Sequence, residues 1–141
     1  KRMDKTMYLI VAILLFMAHY AGDFLMQSSE IATAKSYDNK ALLAHGLFLS
    51  TPILFIFVMI YNCIHGYCID MVVYPLIATV IYGMIHMIQD RLVWSGFKRK
   101  INIGKLKKDT TEFGTAFFTV LGADQMMHMI VLFIIVHIFI L

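Results

Sequence analysis

Long apolar runs separated by short polar segments are the main pattern along the chain. The first run carries Asp23 as its single charged residue and the last carries Asp124, while the two middle runs, 41–69 and 71–89, contain no Asp, Glu, Lys or Arg. A helix needs about 20 apolar residues to cross a bilayer. The pattern therefore predicts an all-α fold, a four-helix transmembrane bundle. Its helices are expected at about 7–27, 41–62, 71–93 and 116–140.

Composition supports an integral membrane protein. The chain is 60% hydrophobic, whereas soluble domains are roughly 45–50% apolar. Its 141 residues are enough for one integral-membrane domain, 1–141. The first run is longer than the apolar region of a signal peptide, and no small-residue cleavage motif follows it. We therefore interpret it as a spanning helix.

Histidine and aspartate recur together inside these runs, and ionisable residues are admitted to membrane segments chiefly for function. Residues spaced by four share one face of a helix. The pairs with this spacing are His19 with Asp23, His86 with Asp90, and Asp124 with His128. His45 lies near the start of the second predicted helix. In a bundle of alternating helices all of these residues fall at one end, which predicts a shared metal site.

Imidazole and carboxylate ligands suit zinc, manganese or iron. The seven candidate ligands are His19, Asp23, His45, His86, Asp90, Asp124 and His128. One tetrahedral ion needs only three or four protein ligands. The set therefore predicts one or two divalent transition-metal ions, or one ion with additional groups for proton transfer.

Such a centre would activate water at neutral pH, and Asp23, Asp90 and Asp124 are the candidate catalytic residues, as ligands or general bases. Four further polar residues lie beside the pairs, in the surrounding shell or within reach of a substrate: Gln27, Gln89, Arg91 and Gln125. The glutamines could equally be ordinary boundary residues.

Basic residues predict the orientation. The connectors after the first and third helices hold nine of the 12 Lys and Arg residues, and such connectors face the cytoplasm. The protein is therefore expected in the cytoplasmic (inner) membrane with both termini outside and the metal site at the cytoplasmic end. The basic run 98–108 is interpreted as an orientation signal, or alternatively as a guide for a phosphate-bearing substrate. Cys63 and Cys68 are two unpaired thiols, a disulfide or a weak metal pattern.

These motifs resemble those of domain-of-unknown-function family 3307, a group of small bacterial and phage membrane proteins. The matching stretches are residues 19–27 (HYAGDFLMQ), Ala44-His45, His86 with Asp90, and Asp124-Gln125 with His128. The family also looks like a distant relative of the membrane-bound metal-dependent hydrolases, and through them of zinc-dependent phospholipases. The resemblance implies the four-helix fold and the histidine–aspartate site.

Three functions are compatible with this sequence. The first is a metal-dependent hydrolase of a lipid or lipid-linked phosphoester, with membrane lipid as the partner and no nucleic acid. The second is a transporter or channel for divalent metal or protons, against which the outer halves of the second and fourth helices offer few polar residues. The third is a non-enzymatic membrane partner with a structural metal site. An oligomer is compatible with each.

Overall fold

The computed structural model describes residues 4–66, 70–107 and 110–141. In these ranges the chain is all-α, which confirms the predicted fold class. The helices are α1 (Lys5–Tyr20) with a π-helical turn (Ala21–Leu25), α2 (Ser29–Ala34), α3 (Asn39–His65), α4 (Asp70–Asn102) and α5 (Thr111–Phe139). Cys68 and Lys108 lie outside the described residues, and with them the predicted Cys63–Cys68 pairing and part of the basic run.

Four helical segments of the described chain are long and apolar enough to cross a membrane. They are Lys5–Leu25, Asn39–His65, Asp70–Asn102 and Thr111–Phe139. Only about a third of each apolar window is buried inside the bundle, and large apolar side chains such as Leu9, Phe55 and Leu92 point outward. A narrow core surrounded by outward apolar side chains is the arrangement expected of a multi-pass membrane protein.

Side-chain caps fix where the helices begin. The Asp4 carboxylate accepts a hydrogen bond from the Met7 amide at 2.8 Å, and the Thr110 hydroxyl accepts one from the Phe113 amide at 3.1 Å. At the start of α3, the Asp38 carboxylate accepts a hydrogen bond from the Lys40 amide at 2.8 Å. These bonds satisfy amide groups that have no partner within a first helical turn.

The third spanning helix is longer than its apolar run. The sequence places its end near residue 93, but α4 continues to Asn102. Phe97, which is buried, explains the extension, because its ring packs 5.8 Å from that of Phe113 and 6.1 Å from that of Phe117. The charges after residue 97 therefore end the apolar run without ending the helix. The segment between the last two spanning helices is therefore shorter than the predicted helix ranges imply, and it lies between Asn102 and Thr111.

Close approach of the helices brings their polar ends together. Helix α3 packs against α1, the π-helical turn and α4, and α4 packs against α5. A Cβ atom added to Gly22 would lie 2.7 Å from Leu49 Cα, and one added to Gly46 would lie 2.5 Å from Met87 Sδ. Glycine at these two positions lets α3 approach both neighbours where the histidine–aspartate pairs lie.

Candidate metal centre

All seven predicted ligands meet at one end of the bundle, and we refer to them as the His/Asp centre. None of them is more than 2% exposed. They come from the end of α1 and its π-helical turn, the first part of α3, the second half of α4 and the middle of α5: His19, Asp23, His45, His86, Asp90, Asp124 and His128. The structure therefore confirms that these side chains form a buried cluster that could hold a metal.

A four-donor group is formed by Asp23 Oδ1, His45 Nε2, His86 Nε2 and Asp90 Oδ2. His45 Nε2 lies 2.8 Å from Asp90 Oδ2, 3.3 Å from Asp23 Oδ1 and 3.0 Å from His86 Nε2. His86 Nε2 lies 3.4 Å from Asp90 Oδ2 and 3.8 Å from Asp23 Oδ1. Ligands of a tetrahedral ion with bonds of about 2.0–2.1 Å are roughly 3.3 Å apart, so these atoms are spaced to surround a cation.

A three-donor group lies beside it and consists of Asp90 Oδ1, Asp124 Oδ1 and His128 Nε2. His128 Nε2 lies 3.6 Å from Asp124 Oδ1 and 4.0 Å from Asp90 Oδ1. All three atoms are buried, and none has a hydrogen-bond partner in the described part of the chain. Leaving a buried polar atom unpaired costs about 1–3 kcal/mol. A divalent cation would satisfy all three atoms at once, so these residues fit a metal.

His19 is held by hydrogen bonds at both ring nitrogens. Gln125 Oε1 lies 3.0 Å from His19 Nε2 and can only accept, so that nitrogen carries the proton. The Tyr82 hydroxyl, 3.0 Å away, then donates to Nδ1. His19 also lies with Asp23 and His128 in a third set of possible donors. Its role as a direct ligand stays a prediction, and its observed contacts connect α1 with α4 and α5.

Gln125 is a predicted neighbour of the site that the structure places in contact with it. Its amide nitrogen donates to Asp23 Oδ2 at 2.7 Å, while its oxygen accepts from His19. Gln27 also reaches Asp23, donating to its main-chain oxygen. Gln125 therefore orients the carboxylate and the imidazole at the end of α1, whereas Gln27 contacts only the main chain there.

The other two predicted neighbours do not contact the centre through hydrogen bonds that the structure describes. Arg91 donates to Asn39 Oδ1 at the start of α3 and lines a separate apolar pocket with Leu42 and Ile88. Gln89 Oε1 is buried with no hydrogen-bond partner among the described residues. Arg91 follows Asp90 directly in sequence, but the next helical position points about 100° away around the axis.

Lys35 is the residue that sequence reasoning missed. It follows α2 and is 6% exposed. Its ammonium lies 2.8 Å from Asp90 Oδ2, 3.2 Å from Asp23 Oδ1 and 3.2 Å from His45 Nε2. Burial opposes the charge, but the carboxylates of Asp90 and Asp23 outweigh it and raise the pKa of Lys35 above its usual value. In the sequence it is one of two lysines of a polar connector, and no local pattern marks it.

A cavity of about 720 Å³ adjoins the centre. One part of its wall is polar and includes Asp23, Lys35, Asp124 and Gln125. The remainder is largely apolar and aromatic, from α4 and α5: Trp94, Phe97, Phe113, Phe117 and Leu121. The Trp94 indole donates to Asp124 Oδ2 at 3.1 Å and so joins the two parts. The cavity has the amphiphilic character of a site for a molecule with a polar and an apolar end.

Lys98 places a second ammonium on the wall of this cavity. It donates to Ser36 Oγ at 2.7 Å and to the main-chain oxygen of Thr33, and it lies 5.0 Å from the centre of the Tyr37 ring. These contacts tie the extension of α4 to the segment that carries Lys35. Lys98 belongs to the predicted basic run, so part of that run borders the candidate site.

Comparison with known proteins gives a family and no activity. The family model described as "Protein of unknown function (DUF3307)" matches residues 11–141. No curated protein and no solved structure matches the chain. The resemblance to metal-dependent hydrolases consequently has no named relative behind it. Because the family match covers most of the chain and all seven residues of the His/Asp centre, the protein belongs to the DUF3307 family.

Proposed function

We propose that this protein is a membrane-embedded, metal-dependent hydrolase of a lipid or lipid-linked phosphoester. The observation that carries the proposal is the amphiphilic cavity. Asp23 and Asp124, two carboxylates of the His/Asp centre, share its wall with the aromatic side chains of α4 and α5. A substrate with a phosphate at one end and an apolar chain at the other matches that distribution of chemistry. Pockets for small ligands have volumes of about 300–1,000 Å³, which the cavity satisfies.

The donor atoms support a catalytic ion of zinc, manganese or iron. The three-donor group of Asp90, Asp124 and His128 is one ligand short of a tetrahedron, and catalytic zinc sites keep such an open position. When bound, the ion supplies Lewis acidity, which activates water and stabilises the charge that develops on phosphoryl oxygens.

Side chains of the protein have distinct roles in this proposal. The Trp94 indole donates a hydrogen bond to Asp124 Oδ2 and so fixes the carboxylate. Asp124 Oδ1 has no hydrogen-bond partner among the described residues and remains available as a metal ligand. The ammonium group of Lys98 on the cavity wall attracts a phosphate. Phe97, Phe113 and Phe117 bind the apolar chain and exclude water from the cavity. The same centre would then receive water from the aqueous side and lipid from the bilayer.

The alternatives differ in what they require of the bundle. A transporter needs a polar path through the other half, where most buried residues of the described chain are apolar, including Leu15, Ile53 and Val136. The buried hydroxyl of Thr79 there donates to the main-chain oxygen of Pro75 in its own helix. A purely structural metal needs a closed site, and the four-donor group has enough ligands for one. The amphiphilic cavity distinguishes the hydrolase proposal, since neither alternative uses it.

The test incubates purified protein with a panel of labelled phospholipids and prenyl phosphates, with zinc or manganese and with chelator. We expect product release that requires metal and is lost in Asp124→Asn, because the three-donor group then lacks a carboxylate. Asp70→Asn, at an exposed position at the start of α4, is the matched control and keeps activity. Circular dichroism checks that both variants retain their helices.

Two results would overturn the proposal. If metal-loaded protein cleaves no lipid of the panel but metal ions cross proteoliposomes that contain it, the protein is a transporter. If neither occurs and metal raises the thermal stability, the metal has a structural role.

A further inference from the structure

We propose that the Lys35 ammonium is the resident cation of the four-donor group, so that the centre binds one divalent ion, at the three-donor group. The inference rests on the metal centre of the proposed function and is independent of the substrate. The Lys35 ammonium then occupies the four-donor group, and a divalent ion from solution binds at the three-donor group.

The contacts of Lys35 are those of a cation within a donor group. Its Nζ atom lies within 3.2 Å of Asp23 Oδ1, Asp90 Oδ2 and His45 Nε2, three of the four donors. An ammonium has three N–H donors, and the two carboxylate oxygens among these atoms, Asp23 Oδ1 and Asp90 Oδ2, can only accept. An ion placed among the same atoms would compete with the ammonium for each of them.

The three-donor group has the opposite condition. Asp90 Oδ1, Asp124 Oδ1 and His128 Nε2 are buried with no hydrogen-bond partner within the described residues. Asp90 belongs to both groups, since its Oδ2 atom contacts Lys35 while its Oδ1 atom faces His128. The ammonium that the structure supplies is therefore on the Oδ2 side of this carboxylate. The Oδ1 side faces His128 Nε2, and no ammonium or hydrogen-bond partner reaches either atom among the described residues.

Charge balance also favours one ion. The centre contains three carboxylates, which one ammonium reduces to a formal charge of −2 when the imidazoles are neutral. A single divalent ion completes neutrality. A second ion beside the ammonium would bring the formal charge to about +2 among side chains that are at most 2% exposed, and unpaired charge in such an environment is costly. Removing the ammonium lowers that excess by one charge.

The experiment counts bound metal. Wild-type protein is stripped with chelator, saturated with Mn²⁺, freed of excess ion and analysed by inductively coupled plasma mass spectrometry. We expect one Mn²⁺ per chain in the wild type and two in Lys35→Met, which keeps the aliphatic side chain, removes the ammonium and opens the four-donor group. Lys98→Met, which removes the other ammonium on the cavity wall, is the matched control and keeps one ion.

Electron paramagnetic resonance of Mn²⁺ gives a second readout that does not require the variant to fold. One ion per wild-type chain gives the spectrum of an isolated Mn²⁺, whereas two ions that share Asp90 would be magnetically coupled. His128→Ala is expected to lose the single ion, because it removes the nitrogen of the three-donor group.

Each contrary result has a definite meaning. Two ions per wild-type chain, a coupled wild-type spectrum, one ion in folded Lys35→Met, or an ion retained in His128→Ala would overturn the inference and leave the hydrolase proposal standing. Wild-type protein that binds no metal would refute both. Lipid hydrolysis that fails while one ion is bound would refute the proposed function alone.

Discussion

Asp90 is the residue through which the two donor groups are connected. Its Oδ2 atom lies 2.8 Å from both Lys35 Nζ and His45 Nε2, and its Oδ1 atom lies 4.0 Å from His128 Nε2. The sequence pairs Asp90 only with His86, its neighbour one helical turn away. A carboxylate has two oxygens that can accept from different directions, and the fold uses both.

Replacing Asp90 should therefore affect stability and metal content together. Asp90→Asn removes one of two carboxylates beside the buried Lys35 ammonium, and breaking a buried ion pair costs about 3–5 kcal/mol. We expect that loss in the free energy of unfolding, measured by denaturant titration in detergent, together with loss of bound metal. Asp38→Asn, at an exposed helix cap, is the control, since asparagine also caps helices well. An Asp90→Asn protein with wild-type stability would contradict the assigned contacts.

At the level of elements, the end of α1 departs from a regular helix. The α-helix ends at Tyr20, and Ala21–Leu25 forms a π-helical turn in which the Met26 amide donates to the Ala21 oxygen at 2.9 Å. Such turns occur frequently at functional sites. Here the turn carries Asp23 and Gly22, so the carboxylate enters the centre where α1 and α3 are closest.

Gly22 is expected to be the most sensitive glycine of this contact. In Gly22→Ala the new Cβ would meet Leu49 Cα at 2.7 Å, and backbone of α3 cannot move aside as a flexible side chain can. Overpacking of this kind costs about 1–3 kcal/mol. Gly122→Ala in α5, where a Cβ would meet nothing within 4 Å, is the control and should be neutral or stabilising, since alanine favours helix. Equal thermal stability of Gly22→Ala and wild type would refute the close contact.

For the whole molecule, the His/Asp centre and the basic connectors lie at the same end of the bundle. The centre is formed where α1 ends, near the start of α3, in the second half of α4 and in the middle of α5. The segments that join these helix ends contain Lys35 and Lys105, whereas the start of α4 at Asp70 belongs to the opposite end. The orientation of the bundle thus determines which compartment the centre faces.

The excess of Lys and Arg in these connectors predicts that the centre faces the cytoplasm. In a protein whose two native cysteines are replaced by serine, Lys105→Cys should react with an impermeant thiol reagent only after the membrane is opened. Asp70→Cys, at the other end, should react in intact cells and is the matched control. Labelling of Lys105→Cys from outside, with Asp70→Cys protected, would place the centre at the outer face.

The sequence alone determined the four helices and the members of the centre. Apolar runs of spanning length can be recognised without knowledge of their neighbours. Each segment must satisfy its own backbone hydrogen bonds within the lipid, and a single helix does so by itself. Pairs such as His19 with Asp23 are likewise local, since residues one helical turn apart share a face whatever packs against them. Alternation of the helices then placed all the pairs at one end.

The tertiary structure alone decided how those residues divide their contacts. Lys35 enters the centre because it directly follows α2, which packs against α3. Arg91 is directed to Asn39 because of the rotation of α4 about its axis. The extension of α4 to Asn102 depends on Phe97 packing against a helix that follows it in the chain. These contacts join residues that are far apart in sequence. They contribute to stability only once the helices have packed together. Spacing along one helix contains no information about them.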